Sequence, residues 1–149
     1  MSTAKSRTHK LAGAEMSGAE TIIQVCADEG VDTIFGYSGG AILPTYDAIF
    51  RYNETRGPKD QIRLIVPANE QGAGFMAAGY ARASGKVGVL MVTSGPGATN
   101  TVTPIRDCMA DSIPVVMISG QAKSFHEPMN VNIASAASAG LPSGRITLE

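Results

Sequence analysis

Four short apolar runs alternate with helix-patterned segments along this chain, and that alternation restricts the fold more than any other feature. The runs are Val31–Phe35, Ile62–Val66, Val87–Val92 and Ile113–Ile118. Each is 5–6 residues long and apolar almost throughout, as strands covered on both faces are. Between them lie segments with helical signals. Ser17 and Glu20 have capping-box spacing, and Ala19, Ile22, Ile23, Cys26 and Ala27 fall on one helical face up to Gly30. A second helix is predicted over Leu43–Arg51 with Pro44 in its first turn, and a third over Gln71–Ala83, ended by Gly85-Lys86. The expectation is an α/β fold: an open, mostly parallel sheet with helices on both faces.

In such sheets ligands bind at the carboxyl ends of the strands. Two glycine-dense turns fall there: Gly36-Tyr37-Ser38-Gly39-Gly40 after the first run, and 93–100 (TSGPGATN) after the third, with a helix expected from that turn to about Ala110. Glu70 lies just past the second run, among small and apolar neighbours. An acid there either complements a helix dipole or is a buried functional carboxyl. The 93–100 turn either cradles an anion or simply joins strand to helix. Other phosphate-loop patterns fail. There is no GxGxxG, and five residues, not four, separate Gly79 from Gly85 ahead of Lys86-Val87.

Composition narrows the function classes. The 149 residues suit one domain. A net charge of −1 gives no electrostatic case for nucleic acid or anionic lipid. No run approaches the ~20 apolar residues of a membrane helix. Cys26 and Cys108 without a CxxC, and only two His, argue against a disulfide scaffold, a zinc knuckle or a His-rich metal site; no metal ligand is predicted.

Residues 1–15 carry Lys5, Arg7 and Lys10 with no acid before Glu15, and are expected to be a disordered leader. An organelle address is the alternative to a cytoplasmic location. The folded domain is expected over 16–121. The stretch 122–149 is expected to be a divergent Ala/Ser/Gly-rich tail, since residues 132–144 hold four Ala, three Ser and two Gly and offer no strand signal.

Four motifs in order change the weight of the separate signals. They are GYSGGAILPTYDAI, NEQGAGFMAAGYARASGKVGV, VTSGPGATNTVTP and DSIPVVMISGQ. Together they closely resemble the pyrimidine-binding domain of the acetolactate synthase (acetohydroxyacid synthase) large-subunit family, over residues 16–121. The resemblance implies a thiamine diphosphate-dependent transferase of branched-chain amino acid biosynthesis, which joins two 2-keto acids such as pyruvate and releases carbon dioxide. It implies that Glu70 is the catalytic glutamate that hydrogen-bonds the aminopyrimidine ring and favours its imino tautomer. It implies cofactor-lining roles for Gly39, Gly40, Ala41, Thr93, Pro96 and Asn100.

The chain also departs from the pattern. Ser38 stands where the family usually has Pro, and Ala68-Asn69 where it usually has Arg-His. An Asp-Ala-Phe-Gln-Glu segment expected after Gln121 is missing, as is any Gly-Asp-Gly motif of the kind that binds the diphosphate through Mg2+. Only the pyrimidine half of thiamine diphosphate is therefore expected here, with Mg2+ and FAD in the complete enzyme only. Three readings stay open. The chain is a truncated synthase portion, inactive alone. Or it is the pyrimidine subunit of a two-chain 2-keto acid decarboxylase. Or it is a non-catalytic remnant or interaction module. A homo-oligomer or a diphosphate-domain partner is expected.

Overall fold

A computed structural model describes residue 11, residues 13–121 and the backbone of 131–136. The elements are α1 (Gly18–Asp28), β1 (Thr33–Tyr37), a 3-10 turn (Gly40–Ile42), α2 (Leu43–Glu54), β2 (Arg63–Ile65), α3 (Glu70–Ser84), β3 (Gly88–Val92), α4 (Pro96–Thr99), α5 (Val102–Ala110), β4 (Val115–Gly120) and β5 (Val131–Ala136). Local chemistry sets their ends. Ser17 and Glu20 form the reciprocal capping box at α1, and Pro44 sits in the first turn of α2. Gly85 closes α3 at φ 71°, a left-handed position that suits glycine.

The sheet order is β2-β1-β3-β4-β5. Pairings among β2, β1, β3 and β4 are parallel, with Phe35 opposite Leu90 and Gly36 opposite Met91. The chain passes from β1 outward to β2, then returns past β1 to β3 and continues outward to β4. The direction of travel thus reverses between β1 and β3, the switch point where such sheets open a crevice.

Side chains divide between two cores with the strand period of two. Ile34, Val89, Met91 and Ile118 pack with Ile22, Ile23 and Ile49 of α1 and α2 on one face. Phe35, Leu90, Val92 and Val115 pack with Ala73, Ala77 and Cys108 of α3 and α5 on the other. The open parallel sheet with helices on both faces is as the alternation implied.

Two differences have physical causes. The helix expected after the 93–100 turn is α5, which ends at Ala110 as expected, but the turn itself holds a short helix that was not expected. α4 is a single turn started by Pro96, and the chain corners at Asn100-Thr101 before α5. The second difference lies in the tail, where no strand was expected. β5 pairs antiparallel with β4, Ile118 opposite Ile133. Small Ala and Ser side chains give no hydrophobic period, but an open sheet edge offers a row of backbone partners to any segment that can extend along it. Residues 1–10 and 12 of the leader, and 122–130 and 137–149 of the tail, lie outside the described residues. Among the described residues no helix is long and apolar enough to cross a membrane.

Candidate active site

The site grows from the two turns that flank the switch point. After β1 the chain passes through Gly39 and Gly40 into the 3-10 turn, and after β3 it enters Thr93 and Gly95. Gly95 adopts φ 63°, which lets the chain double back into α4. The two turns touch. A Cβ on Gly39 would stand 2.6 Å from Thr93 Cβ, so the absence of a side chain brings the turns together. A Cβ on Gly97 would stand 2.7 Å from Thr93 Cγ2 and 3.5 Å from Glu70 Oε1. Glu70, Thr93 and Gly97 therefore share one small volume.

Glu70 opens α3. The capping task belongs to its neighbour: Asn69 Oδ1 accepts from the Gly72 N–H at 2.7 Å. Glu70 is thus free of cap duty, yet it is only 9% exposed. A carboxylate so buried needs a partner. Asn100 provides one, its Nδ2 donating to Glu70 Oε2 at 3.0 Å. The helix dipole of α3 favours negative charge at the same place. Tyr46 lies on the other side. Its phenol donates to the Met91 carbonyl at 3.3 Å, passing over Gly36, where a Cβ would collide with the hydroxyl. Burial first, and then the Glu70 charge, push the Tyr46 phenol well above its ordinary value.

The residues singled out in the sequence do not all converge. Glu70, Thr93, Asn100 and Gly39 do. Gly40 faces open space, with nothing within 4 Å of a built Cβ. Ala41 is half-buried, its carbonyl carbon 2.6 Å from where a Cβ of Gly120 would lie, which ties the turn to the end of β4. Pro96 is exposed at the start of α4, and Tyr37 is 37% exposed. Gly97, Tyr46 and Gly120 were not singled out as site residues. Gly97 lies inside a quoted motif, but only packing shows which of its glycines stands against the carboxyl. A cleft of about 430 Å3 opens beside Glu70, lined by Asn69, Gln71, Gly72, Phe75 and Asn100. Among the described residues no group of three or more His, Cys, Asp or Glu converges.

The chain is thus an open α/β domain with a buried acid at the sheet's switch point, flanked by two glycine turns, the place where ligands bind in sheets of this class. The family model for the thiamine pyrophosphate enzyme N-terminal TPP binding domain matches residues 16–138. The chain belongs to that family, and the match runs past Gln121 to include β5. The chain is 53% identical over 106 residues to the mitochondrial acetolactate synthase catalytic subunit of Saccharomyces cerevisiae, covering 71% of this chain and 14% of that protein. It is 52% identical over 110 residues to the acetolactate synthase large subunit of Haemophilus influenzae, 74% of this chain and 18% of that one. Against the large subunit of Corynebacterium glutamicum it is 45% identical over 122 residues, 82% of this chain and 18% of that protein. The chain thus spans less than a fifth of the length of these curated relatives.

Proposed function

We propose that this chain supplies the pyrimidine side of a thiamine diphosphate site in an enzyme of the acetolactate synthase type, acting on pyruvate and a second 2-keto acid. The observation that carries the reading is Glu70, a carboxylate buried at the switch point and held by one amide. The surroundings fit a flat heteroaromatic ring. Gly39 and Gly97 let Thr93 pack close beside Glu70, and Gly40 leaves open space at the rim.

When bound, thiamine diphosphate supplies a carbon centre that adds to a keto acid and takes up the electron pair left by carbon dioxide. This chain's residues do the rest of the work on its pyrimidine side. Glu70 hydrogen-bonds a ring nitrogen and passes a proton to and from it, as a general acid–base group must within hydrogen-bond reach. Burial strengthens that contact by lowering the local dielectric. Gly39, Gly40, Ala41, Thr93, Pro96 and Asn100 form the rim. Diphosphate, Mg2+ and flavin contacts fall to segments other than these 149 residues.

The test is a chimera in which residues 16–138 replace the matching segment of the Haemophilus influenzae large subunit. Cofactor-dependent acetolactate formation from pyruvate is expected, and Glu70→Gln is expected to lower kcat at least ~100-fold, the usual scale of general acid–base help. A chimera that turns over equally well with Gln at position 70 defeats the proposal.

A further inference from the structure

The contact between Asn100 and Glu70 joins residues 30 apart in the chain, and it treats the two carboxylate oxygens differently. Oε2 accepts the Asn100 amide at 3.0 Å. Oε1 faces the side of Gly97, where a Cβ would lie 3.5 Å away and none exists. Oε2 is held, and Oε1 accepts no hydrogen bond among the described residues.

Asn100 is built to hold. Its backbone N–H donates to the Pro96 carbonyl at 2.9 Å, which fixes the end of α4. The next residue, Thr101, is 1% exposed, and its hydroxyl reaches the Ala98 carbonyl at 2.6 Å and Met117 Sδ of β4 at 2.8 Å. The α4–α5 corner is therefore anchored on both sides. Asn100 is itself exposed, and the side-chain hydrogen bond it makes is the one to Glu70. The amide also suits both states of an acid. It donates through Nδ2 to an ionised carboxyl and, rotated, accepts through Oδ1 from a protonated one.

We propose that Asn100 is a positioning residue for Glu70: its carboxamide holds Oε2 so that Oε1 is the oxygen presented to the cofactor ring. The cofactor part of this statement rests on the function proposed above; the hydrogen bond does not. Asn100 then acts through Glu70, at the edge of the site.

The test needs no cofactor. Side-chain amide signals of the 15N-labelled full chain are followed by NMR from pH 7 to 4, with Asn100 assigned by the signal lost in Asn100→Ala. Tyr46, the other titratable group coupled to Glu70, stays neutral throughout this range because its phenol is pushed upward. In the wild-type chain the Asn100 signals are expected to move with pH in the acid range where carboxylates take up protons. In Glu70→Gln, which keeps the shape and removes the charge, they are expected to stay still. A corner residue whose amide does not touch Glu70 would show no such dependence on position 70. Signals that ignore pH in the wild type, or that move equally in Glu70→Gln, overturn the proposal. Either failure leaves the Glu70 dependence of the chimera untouched, and loss of that dependence leaves the amide titration untouched, so the two ideas fail separately.

Discussion

Helix α3 contains two glycines whose replacement by alanine should change stability in opposite directions. Gly79 lies on the exposed side, and a Cβ there meets nothing within 4 Å. Gly74 is buried, and a Cβ there would stand 2.7 Å from Pro104 Cβ and 3.5 Å from Leu90 Cδ2. Both substitutions gain about 0.5–1 kcal/mol from helix propensity and reduced unfolded-state entropy. At Gly79 that gain stands alone. At Gly74 the methyl meets the ring of Pro104, which cannot rotate away, so α5 must retreat. Overpacking of this kind costs about 1–3 kcal/mol. The net effect of Gly74→Ala is a loss of about 0.5–2 kcal/mol once the propensity gain is subtracted.

Urea unfolding of the chain, followed by far-UV circular dichroism, reads both effects as midpoint shifts at constant slope. Gly79→Ala should raise the midpoint and Gly74→Ala should lower it. In Gly74→Ala/Pro104→Gly, which removes both Pro104 ring atoms that the new methyl meets, the clash is relieved, so the pair should be non-additive by about 1 kcal/mol or more. If Gly74→Ala proves as stable as Gly79→Ala, the close α3–α5 contact is not what requires glycine there.

Two further outcomes follow from other parts of the structure. Asn53 clamps the chain ahead of β2, donating to the Ile62 carbonyl and accepting from the Ile62 N–H, each at 2.9 Å; Asn53→Ala should cost about 1–3 kcal/mol in the same urea assay, because a buried backbone pair loses both partners. Asp32 is held down to about 2 by hydrogen bonds from Lys86 first and the Tyr80 hydroxyl second. A carboxyl lowered on folding stabilises above its unfolded value of about 3.9 and ceases to as pH falls through about 2, so Asp32→Asn should lower Tm near pH 6 and lose that deficit between about pH 4 and 2. Both ends of the Asp32–Lys86 pair are about half exposed, so 1 M salt should shrink the difference.

Much of the fold was legible because its signals are local. Ser17 and Glu20 are three residues apart and cap α1 as read. The four apolar runs became β1 to β4 with shifts of one or two residues, since each run carries its own β preference and turn signals. The helical turn α4 inside the 93–100 stretch was not legible. Pro96, Asn100 and Pro104 each allow a helix to start, stop or bend, and only the packing of Thr101 against β4 selects the corner. Glu70 stood out by its setting, although its sequence neighbours could not show that Asn69 caps α3 in its place.

The sequence alone thus determined the class of fold and pointed to a candidate site at the strands' carboxyl ends with Glu70 in it, because periodicity, turn residues and a lone acid in an apolar setting act within a few residues of one another. Strand order, the edge pairing of β5 and the match of Asn100 to one oxygen of Glu70 belong to the tertiary structure. They depend on which backbone edges and which short side chains meet after the chain has closed loops of 11 to 55 residues. That choice is made by packing and by the need of a buried carboxylate for a donor, and no local pattern encodes it.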